Sequence, residues 1–149
     1  MKPKAPGHNL WTCPTCGRQF ERKGQSHSCR VYPLEKHFEH KPVGRVLYEV
    51  LRKAVKRRVG AFKIESLECC IHFVSTSTFV AVKIFKSKIQ VDFSLADRIK
   101  GKRLKLAVQM SAHRYLYYVD IIREDEIDAE LMGWIQMAYD IKKYKVSTL

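Results

Sequence analysis

Apolar residues recur along this chain with two periods, one typical of helices and one typical of strands. Between Gly44 and Arg58 they fall on one face of a helix, and Gly60 ends that pattern. Five later runs alternate apolar and polar residues or are apolar throughout, as strands do. These runs cover residues 67–74, 78–85, 89–95, 104–110 and 115–122. The short links between the first three runs predict antiparallel hairpins.

A second helical pattern runs from about Glu124 to Lys143, with Leu131 and Trp134 in its apolar stripe. Acidic side chains crowd its start and lysines its end, and both complement the helix dipole. The order is helix, three strands, a basic link, two strands and helix. It predicts an α+β domain with a five-stranded, mainly antiparallel sheet and both helices packed on it.

Four residues near the N-terminus form a Cys-x2-Cys-x10-His-x-Cys array: Cys13, Cys16, His27 and Cys29. Four soft sulfur and nitrogen ligands suit tetrahedral Zn²⁺ and leave no open position for a substrate, so the array predicts a structural zinc. Residues at i and i+2 do not share a helix face, so a knuckle or short ribbon fits better than a helical finger. Three other histidines remain alternative ligands: His8, His37 and His40.

The motif and the hydrophobic pattern divide the chain into three parts. Residues 1–30 form the zinc-binding unit, whose N-terminal tail at 1–9 is predicted to be disordered. Residues 31–42 form a connector with one helical turn around Leu34 to Phe38, and residues 43–149 form the α+β domain. We expect the zinc unit and the domain to fold separately.

Disulfides are the alternative use of these thiols. The chain starts Met-Lys-Pro-Lys without an apolar segment, and no apolar run is long enough to span a bilayer. We therefore expect a cytoplasmic protein, and in a reducing compartment this Cys/His spacing favours metal over disulfide. Cys69 and Cys70 lie in a strand-like run, which predicts that their side chains point to opposite faces as apolar filler.

The charge is large and uneven. Lys plus Arg is 28 against 15 acidic residues, giving a net +13, and residues 43–122 carry 16 basic and 6 acidic side chains. This balance suggests an anionic partner, of which DNA or RNA is the commonest. A membrane surface is less suited, because the cations are not joined to an apolar-faced anchor helix. A merely solvated surface and a protein partner both remain open.

Three groups of cations could contact phosphates. One surrounds the metal motif, one lies on the first helix, and one fills the link before the fourth strand run, where Gly101 predicts a flexible loop tip. The groups are Arg18, Arg22, Lys23 and Arg30; Arg52, Lys53, Lys56 and Arg57; and Arg98, Lys100, Lys102, Arg103 and Lys105. No helix is plainly set to enter a groove, so we expect little sequence preference.

No catalytic constellation stands out. The strand carboxylates Asp92 and Asp120 are isolated in sequence, and His72 and His113 suit a sheet or a surface. Tyr115 and Tyr117 are strand formers first, although base stacking on them stays open. The sequence therefore favours a non-catalytic binding protein. A small-ligand domain or adaptor with a zinc cap, and an enzyme acting on nucleic acid, remain alternatives.

Several segments together resemble one known family. They are Trp11-Thr-Cys-Pro-Thr-Cys-Gly-Arg18, Gln25-Ser-His-Ser-Cys29, Leu47-Tyr-Glu-Val-Leu51, Ile71-His-Phe73, Phe79-Val-Ala-Val82, Asp128-Ala-Glu-Leu131, Trp134 and Ala138-Tyr139. In this order they resemble the domain of unknown function 5655 family over roughly residues 11–140. The resemblance implies an α+β domain in a bacterial or archaeal cytoplasm and supplies no catalytic residues. The opening also resembles small Cys-Cys-His-Cys fingers, although its His27-x-Cys29 ending is shorter than theirs.

Overall fold

The computed structural model describes residues 10–27 and 32–147, with side chains up to residue 141. The predicted disordered tail at 1–9 lies outside these residues. The elements in chain order are β1 (Trp11–Thr12), β2 (Gln19–Phe20), a 3-10 helix (Leu34–Phe38), α1 (Pro42–Arg58), β3 (Lys63–Ser66), β4 (Ile71–Val74), β5 (Thr78–Ile84), β6 (Ile89–Leu95), β7 (Lys105–Ser111), β8 (Arg114–Ile121), a second 3-10 helix (Glu124–Glu126) and α2 (Ala129–Ser147).

The first helix begins at Pro42, two residues before the predicted start and within the predicted connector. Proline suits this first helical position, because its fixed φ fits the helix and its missing N–H would have no partner there. The helical turn predicted at Leu34 to Phe38 is confirmed as the first 3-10 helix. Lys41 joins it to the sheet, since its Nζ donates to the carbonyl of Ile84 at 3.1 Å.

The main sheet has six strands in the order β3-β4-β5-β6-β8-β7, and every neighbouring pair is antiparallel. The prediction of five strands was therefore wrong by one. The extra strand is β3, and its Lys-Ile-Glu-Ser sequence is too short and polar to give a strand signal. The predicted run at 67–74 is a strand only from Ile71, because residues 67–70 form a turn closed by a Leu67 N–H to Cys70 carbonyl hydrogen bond of 2.9 Å. Cys69 and Cys70 consequently lie outside the strand, and the prediction that they point to opposite sheet faces was wrong.

The last helix begins at Ala129 rather than near Glu124. Asp128 ends the preceding turn, and its carboxylate accepts a hydrogen bond from the Leu131 N–H at 3.0 Å, as helix-capping aspartates do. The acidic residues before it form the second 3-10 helix, where Glu126 accepts hydrogen bonds from the backbone of Ile122 and Arg123. These two bonds, the Arg123 one first, lower the pKa of Glu126.

Both helices pack on one face of the sheet, against β5 and β6, and contact each other. The core between them is rich in aromatic rings, and Trp134 is 8 % exposed and stacks on Phe93 with ring centroids 6.3 Å apart. The predicted burial of Leu131 and Trp134 is thus confirmed. The opposite sheet face bears half-buried polar side chains, among them His72, Gln90 and Asp92, and is open to a ligand or a covering element.

The basic link between β6 and β7 is held against the core rather than free. Tyr117 donates its hydroxyl to the Ile99 carbonyl at 3.2 Å and accepts from the Ile99 N–H at 2.7 Å. Leu104 is buried, and a Cβ on Gly101 would lie 2.9 Å from the Trp134 ring. The prediction of a flexible tip at Gly101 was wrong, because glycine here permits close packing on a tryptophan. Among the residues the structure describes, no helix is long and apolar enough to cross a membrane.

Candidate metal centre and basic surface

The turn after β1 brings two predicted ligands together. The Cys13 N–H donates to the Arg18 carbonyl at 2.9 Å, and the Gly17 N–H donates back to the Cys13 carbonyl at 2.8 Å. Gly17 has a φ of 74°, which a residue with a side chain rarely adopts, so glycine lets the chain turn behind the two thiols. Cys13 is buried and Cys16 is half-buried.

His27 reaches the same point from the far side of β2. Its Nδ1 lies 2.7 Å from the Gln25 carbonyl oxygen, and its Nε2 lies 3.3 Å from the Cys16 sulfur. A carbonyl can only accept a hydrogen bond, so the proton sits on Nδ1 and Nε2 keeps its lone pair. This is the usual way in which a backbone carbonyl prepares a histidine to bind a metal.

The ligand atoms of Cys13, Cys16 and His27 all lie within 4.8 Å of one another. Two thiols and one imidazole at this spacing could hold a metal ion. Cys29 lies outside the described residues, as does the alternative ligand His8. His37 and His40 do not belong to the group. His37 lies apart from it, with its Nε2 3.1 Å from the Ser66 hydroxyl.

Aromatic rings cover the metal group and tie it to the sheet. The ring centroids of Phe20 and His27 lie 4.1 Å apart, those of Trp11 and Phe20 lie 6.2 Å apart, and the Arg18 guanidinium sits over Phe20. Lys63 of β3 donates to the Gln19 side chain at 2.8 Å. We call residues 10–27 the metal hairpin, and it borders the turn at 75–77 on the open face of the sheet.

Some of the predicted phosphate-binding cations already have acidic partners. Arg103 donates to the Glu126 carbonyl at 2.7 Å, pairs with Asp128 and Glu130, and lies over the Trp134 ring. Two other cations are engaged in the same way: Arg52 pairs with Glu49 at 2.9 Å, and Lys105 lies 3.9 Å from Asp120. The hydrogen bond from Glu49 raises the pKa of Arg52. Arg103 therefore anchors the link to α2, and we leave it out of the surface considered below.

Other predicted cations are exposed and form no ion pair within the described part of the chain. They are Arg22 and Lys23 in the metal hairpin, Lys53, Lys56 and Arg57 on α1, and Arg98, Lys100 and Lys102 in the link. We call these eight residues the basic surface. Arg18 is half-buried over Phe20, and Arg30 lies outside the described residues.

The three segments of the basic surface lie toward the same end of the sheet. The metal hairpin borders the turn that precedes β5. The C-terminal end of α1 is also near the start of β5, because Tyr139 donates to the Ala61 carbonyl at 3.2 Å and packs its ring on Phe79 at 4.9 Å. The link follows Leu95, the last residue of β6, which runs antiparallel to β5. Cations far apart in sequence are thereby gathered toward one end.

Sequence reasoning missed a pair of carboxylates on the open face. Asp92 of β6 and Asp120 of β8 lie on neighbouring strands, and Asp120 is flanked by Lys88 at 3.4 Å and Lys105 at 3.9 Å. Burial raises the pKa of Asp92, while Lys83 and a hydrogen bond from Gln90 oppose that shift. The alternation within β6 and β8 places both carboxylates on one face, but only the strand pairing brings them close.

The remaining residues weighed for ligand contact are mostly structural. Tyr117 is 1 % exposed and holds the link, so it offers no face for stacking a base. His72 is half-buried with Nδ1 3.3 Å from the Thr78 hydroxyl, and burial lowers its pKa. Tyr115 is half-buried and His113 is exposed.

A protein-family model described as Domain of unknown function (DUF5655) matches residues 34–142. The chain therefore belongs to that family, and the match covers the first 3-10 helix, α1, the six-stranded sheet and most of α2. The metal hairpin precedes the matched residues. The search of curated proteins and the search of solved structures each gave no match.

Proposed function

We propose that this protein binds nucleic acid largely without sequence preference and carries a structural zinc in the metal hairpin. The observation that carries the proposal is the basic surface, whose cations come from three segments and converge on one end of the sheet. Phosphate contacts supply most non-specific affinity for nucleic acid, and they need only cations that are accessible and not already paired.

Packing of the link favours such contacts. Lys100 and Lys102 flank Gly101, which lies against Trp134, and the neighbouring Ile99 is bonded to Tyr117. The backbone between the lysines is thus ordered before any ligand arrives. Less conformational entropy is then lost on binding, because only the lysine side chains have to be fixed.

Zinc suits the hairpin through its donor set. Cys13, Cys16 and His27 supply soft sulfur and nitrogen atoms, and Cys29 would be the fourth ligand, giving the closed tetrahedral set of a structural zinc site. A closed site holds the shape of the hairpin and performs no chemistry on a substrate. In this proposal the metal orders Arg22 and Lys23 beside the other cations.

The test is the salt dependence of binding to a short duplex DNA and to a single-stranded RNA. If about five cations neutralise duplex phosphates, the log–log slope is near −4.5, and affinity falls roughly 500-fold from 50 to 200 mM salt. The variant K100E/K102E should flatten the slope by about two units. The matched control K36E/K86E makes the same charge change at the other end of the molecule, near the start of α1 and the β5–β6 turn, and should leave the slope nearly unchanged.

Two results would contradict the proposal. One is the absence of any complex with DNA or RNA at 50 mM salt. The other is an equal loss of binding in the test and control variants, which would mean that net charge acts without a defined surface. Comparison of the duplex with the single strand then decides which nucleic acid is preferred.

A second candidate function is small-ligand binding in an adaptor with a zinc cap. A cavity of about 290 Å³ separates the metal hairpin from the turn before β5, and it is lined by polar groups that include Gln19, Gln25, Lys63 and Thr76. Its volume is near the lower limit for ligand pockets. A thermal-shift screen of small polar metabolites tests this candidate, and a hit that fails when the hairpin metal is removed would support it.

The third candidate is an enzyme acting on nucleic acid. Asp92 and Asp120 with their neighbouring lysines are the only observation that favours it over the described residues, since paired carboxylates can hold a catalytic metal. Metal-dependent cleavage of a labelled strand, lost in the variant D92N, would support this candidate over simple binding.

A further inference from the structure

Cys69 and Cys70 form a pair of adjacent thiols away from the metal hairpin. Their sulfur atoms lie 3.0 Å apart, and Cys69 is exposed while Cys70 is buried. The turn at 67–70 that carries them is closed by its own backbone hydrogen bond. It precedes β4, whereas the metal hairpin borders the turn that follows β4.

Two adjacent thiols can act together either by forming a disulfide or by chelating one atom. A disulfide needs the sulfurs at about 2.05 Å and usually Cα atoms 4.4–6.8 Å apart. The trans peptide between adjacent residues holds the Cα atoms about 3.8 Å apart, which is too close for an unstrained bridge. Two sulfurs bound at about 2.3 Å to one tetrahedral centre lie about 3.8 Å apart. A small side-chain rotation takes the pair to that spacing, so the geometry favours chelation.

We propose that Cys69 and Cys70 are a chelating dithiol site for a soft, thiophilic centre that takes two sulfur ligands at one atom. Trivalent arsenicals belong to this class, and thiolate ligands select soft metal ions for the same reason. An arsenic oxide R–As=O condenses with both thiols. Two As–S bonds form, the As=O bond breaks, and the two thiol protons leave with the oxygen as water, so no oxidant or reductant is required.

The two cysteines play different parts in this reaction. Cys69 is exposed and meets the arsenical first. Burial, assisted by the hydrogen bond with Cys69, raises the pKa of Cys70 to about 12, so Cys70 keeps its proton until it bonds. The second bond is intramolecular, and the high effective concentration of the neighbouring thiol drives the ring closed.

The test treats the zinc-loaded full chain with phenylarsine oxide, alkylates the remaining thiols with iodoacetamide and digests with trypsin. Cleavage after Lys63 and Lys83 releases residues 64–83, which contain Cys69 and Cys70 but none of the hairpin cysteines. We expect this fragment to carry one phenylarsine group and no alkyl group. A small dithiol competitor should remove the arsenic and restore both sites to alkylation.

Variants distinguish chelation from single-thiol attachment. Cys69→Ser leaves the buried position untouched and should lose the arsenic from residues 64–83, and Cys70→Ser should lose it as well. Cys13→Ser, in the metal hairpin, should leave that fragment fully labelled. The proposal is overturned if arsenic is found only on the hairpin fragments. It is also overturned if either single variant in the dithiol pair holds the arsenical as well as the natural chain does.

Discussion

At the scale of single residues, two helical glycines with opposite surroundings test the packing of α1. A Cβ on Gly44 would collide with the Phe85 carbonyl oxygen and lie 2.6 Å from the Ile84 side chain, whereas a Cβ on Gly133 would meet nothing within 4 Å. Gly133→Ala should raise the free energy of unfolding by about 0.5–1 kcal/mol, because alanine loses less backbone entropy in a helix. Gly44→Ala should lower it by about 1–3 kcal/mol through overpacking. Urea unfolding of both variants measures the contrast, and two stabilised variants would mean that α1 does not lie against the end of β5.

A buried histidine gives a residue-scale prediction about pH. Burial lowers the pKa of His37, Lys41 adds to that effect, and a hydrogen bond with the Leu67 backbone opposes it. Below the usual histidine pKa of about 6.5, the unfolded chain takes up a proton that the folded chain resists. The contribution is therefore complete above about pH 6.5 and is lost as the pH falls toward the lowered folded value.

The variant His37→Gln isolates this titration, because glutamine can still bond the Ser66 hydroxyl but carries no titrating group. Urea unfolding at about pH 7.5 and 5.5 should show a smaller fall in the free energy of unfolding for the variant than for the natural chain. Titration of His27 and of the carboxylates is common to both proteins and cancels in the comparison. Equal falls would show that His37 does not resist protonation in the folded state.

At the scale of elements, the sequence predicts those whose pattern is long and local. The stripe of α1 and the alternation of β5, β6, β7 and β8 each persist for seven or more residues, and their bounds agree with the structure to within two residues. By contrast, β3 has one apolar residue in four, so its strand character depends on pairing with β4. The start of α2 is displaced because Asp128, rather than the earlier acids, caps the helix.

The candidate site divides in the same way. Spacing alone predicted that Cys13, Cys16 and His27 come together, since a turn and a two-stranded hairpin are local structures. The Asp92 and Asp120 pair depends on β8 lying beside β6, with β7 on the outside. That order arises from long-range packing and has no signature in either strand.

The link between β6 and β7 gives the prediction at this scale. Arg103→Ala removes the donor to the Glu126 carbonyl and the ion pairs to α2, which should lower the free energy of unfolding by about 1–3 kcal/mol. Lys102 is the matched neighbour, exposed and without an acidic partner in the described residues, so Lys102→Ala should change stability by less than about 0.5 kcal/mol. Chemical denaturation measures both. Salt-dependent binding should show the reverse order, and a stability loss in Lys102→Ala equal to that in Arg103→Ala would contradict this division of roles.

At the scale of the whole molecule, the chain combines a metal hairpin with a domain that has its own core. The described core is built from residues of α1, α2, the sheet and the first 3-10 helix, with further residues from the link and none from the metal hairpin. The hairpin meets the domain through exposed polar contacts such as Lys63 with Gln19. Surface contacts of this kind contribute little stability, so the hairpin depends on its metal while the domain does not.

Metal removal tests that independence. Protein purified without chelators should contain about one zinc per chain, the stoichiometry of one tetrahedral four-ligand site. Cys16→Ser should lose the metal and the hydrogen-exchange protection of residues 10–27, because the remaining ligands cannot close the site. The α+β domain should keep its cooperative unfolding transition and its protected sheet amides. Cys69→Ser, which changes a thiol outside the hairpin, should retain the metal in full. A Cys16→Ser chain that unfolds throughout would show that the hairpin is a structural part of the domain, and a metal content near zero in the natural chain would remove the zinc site itself.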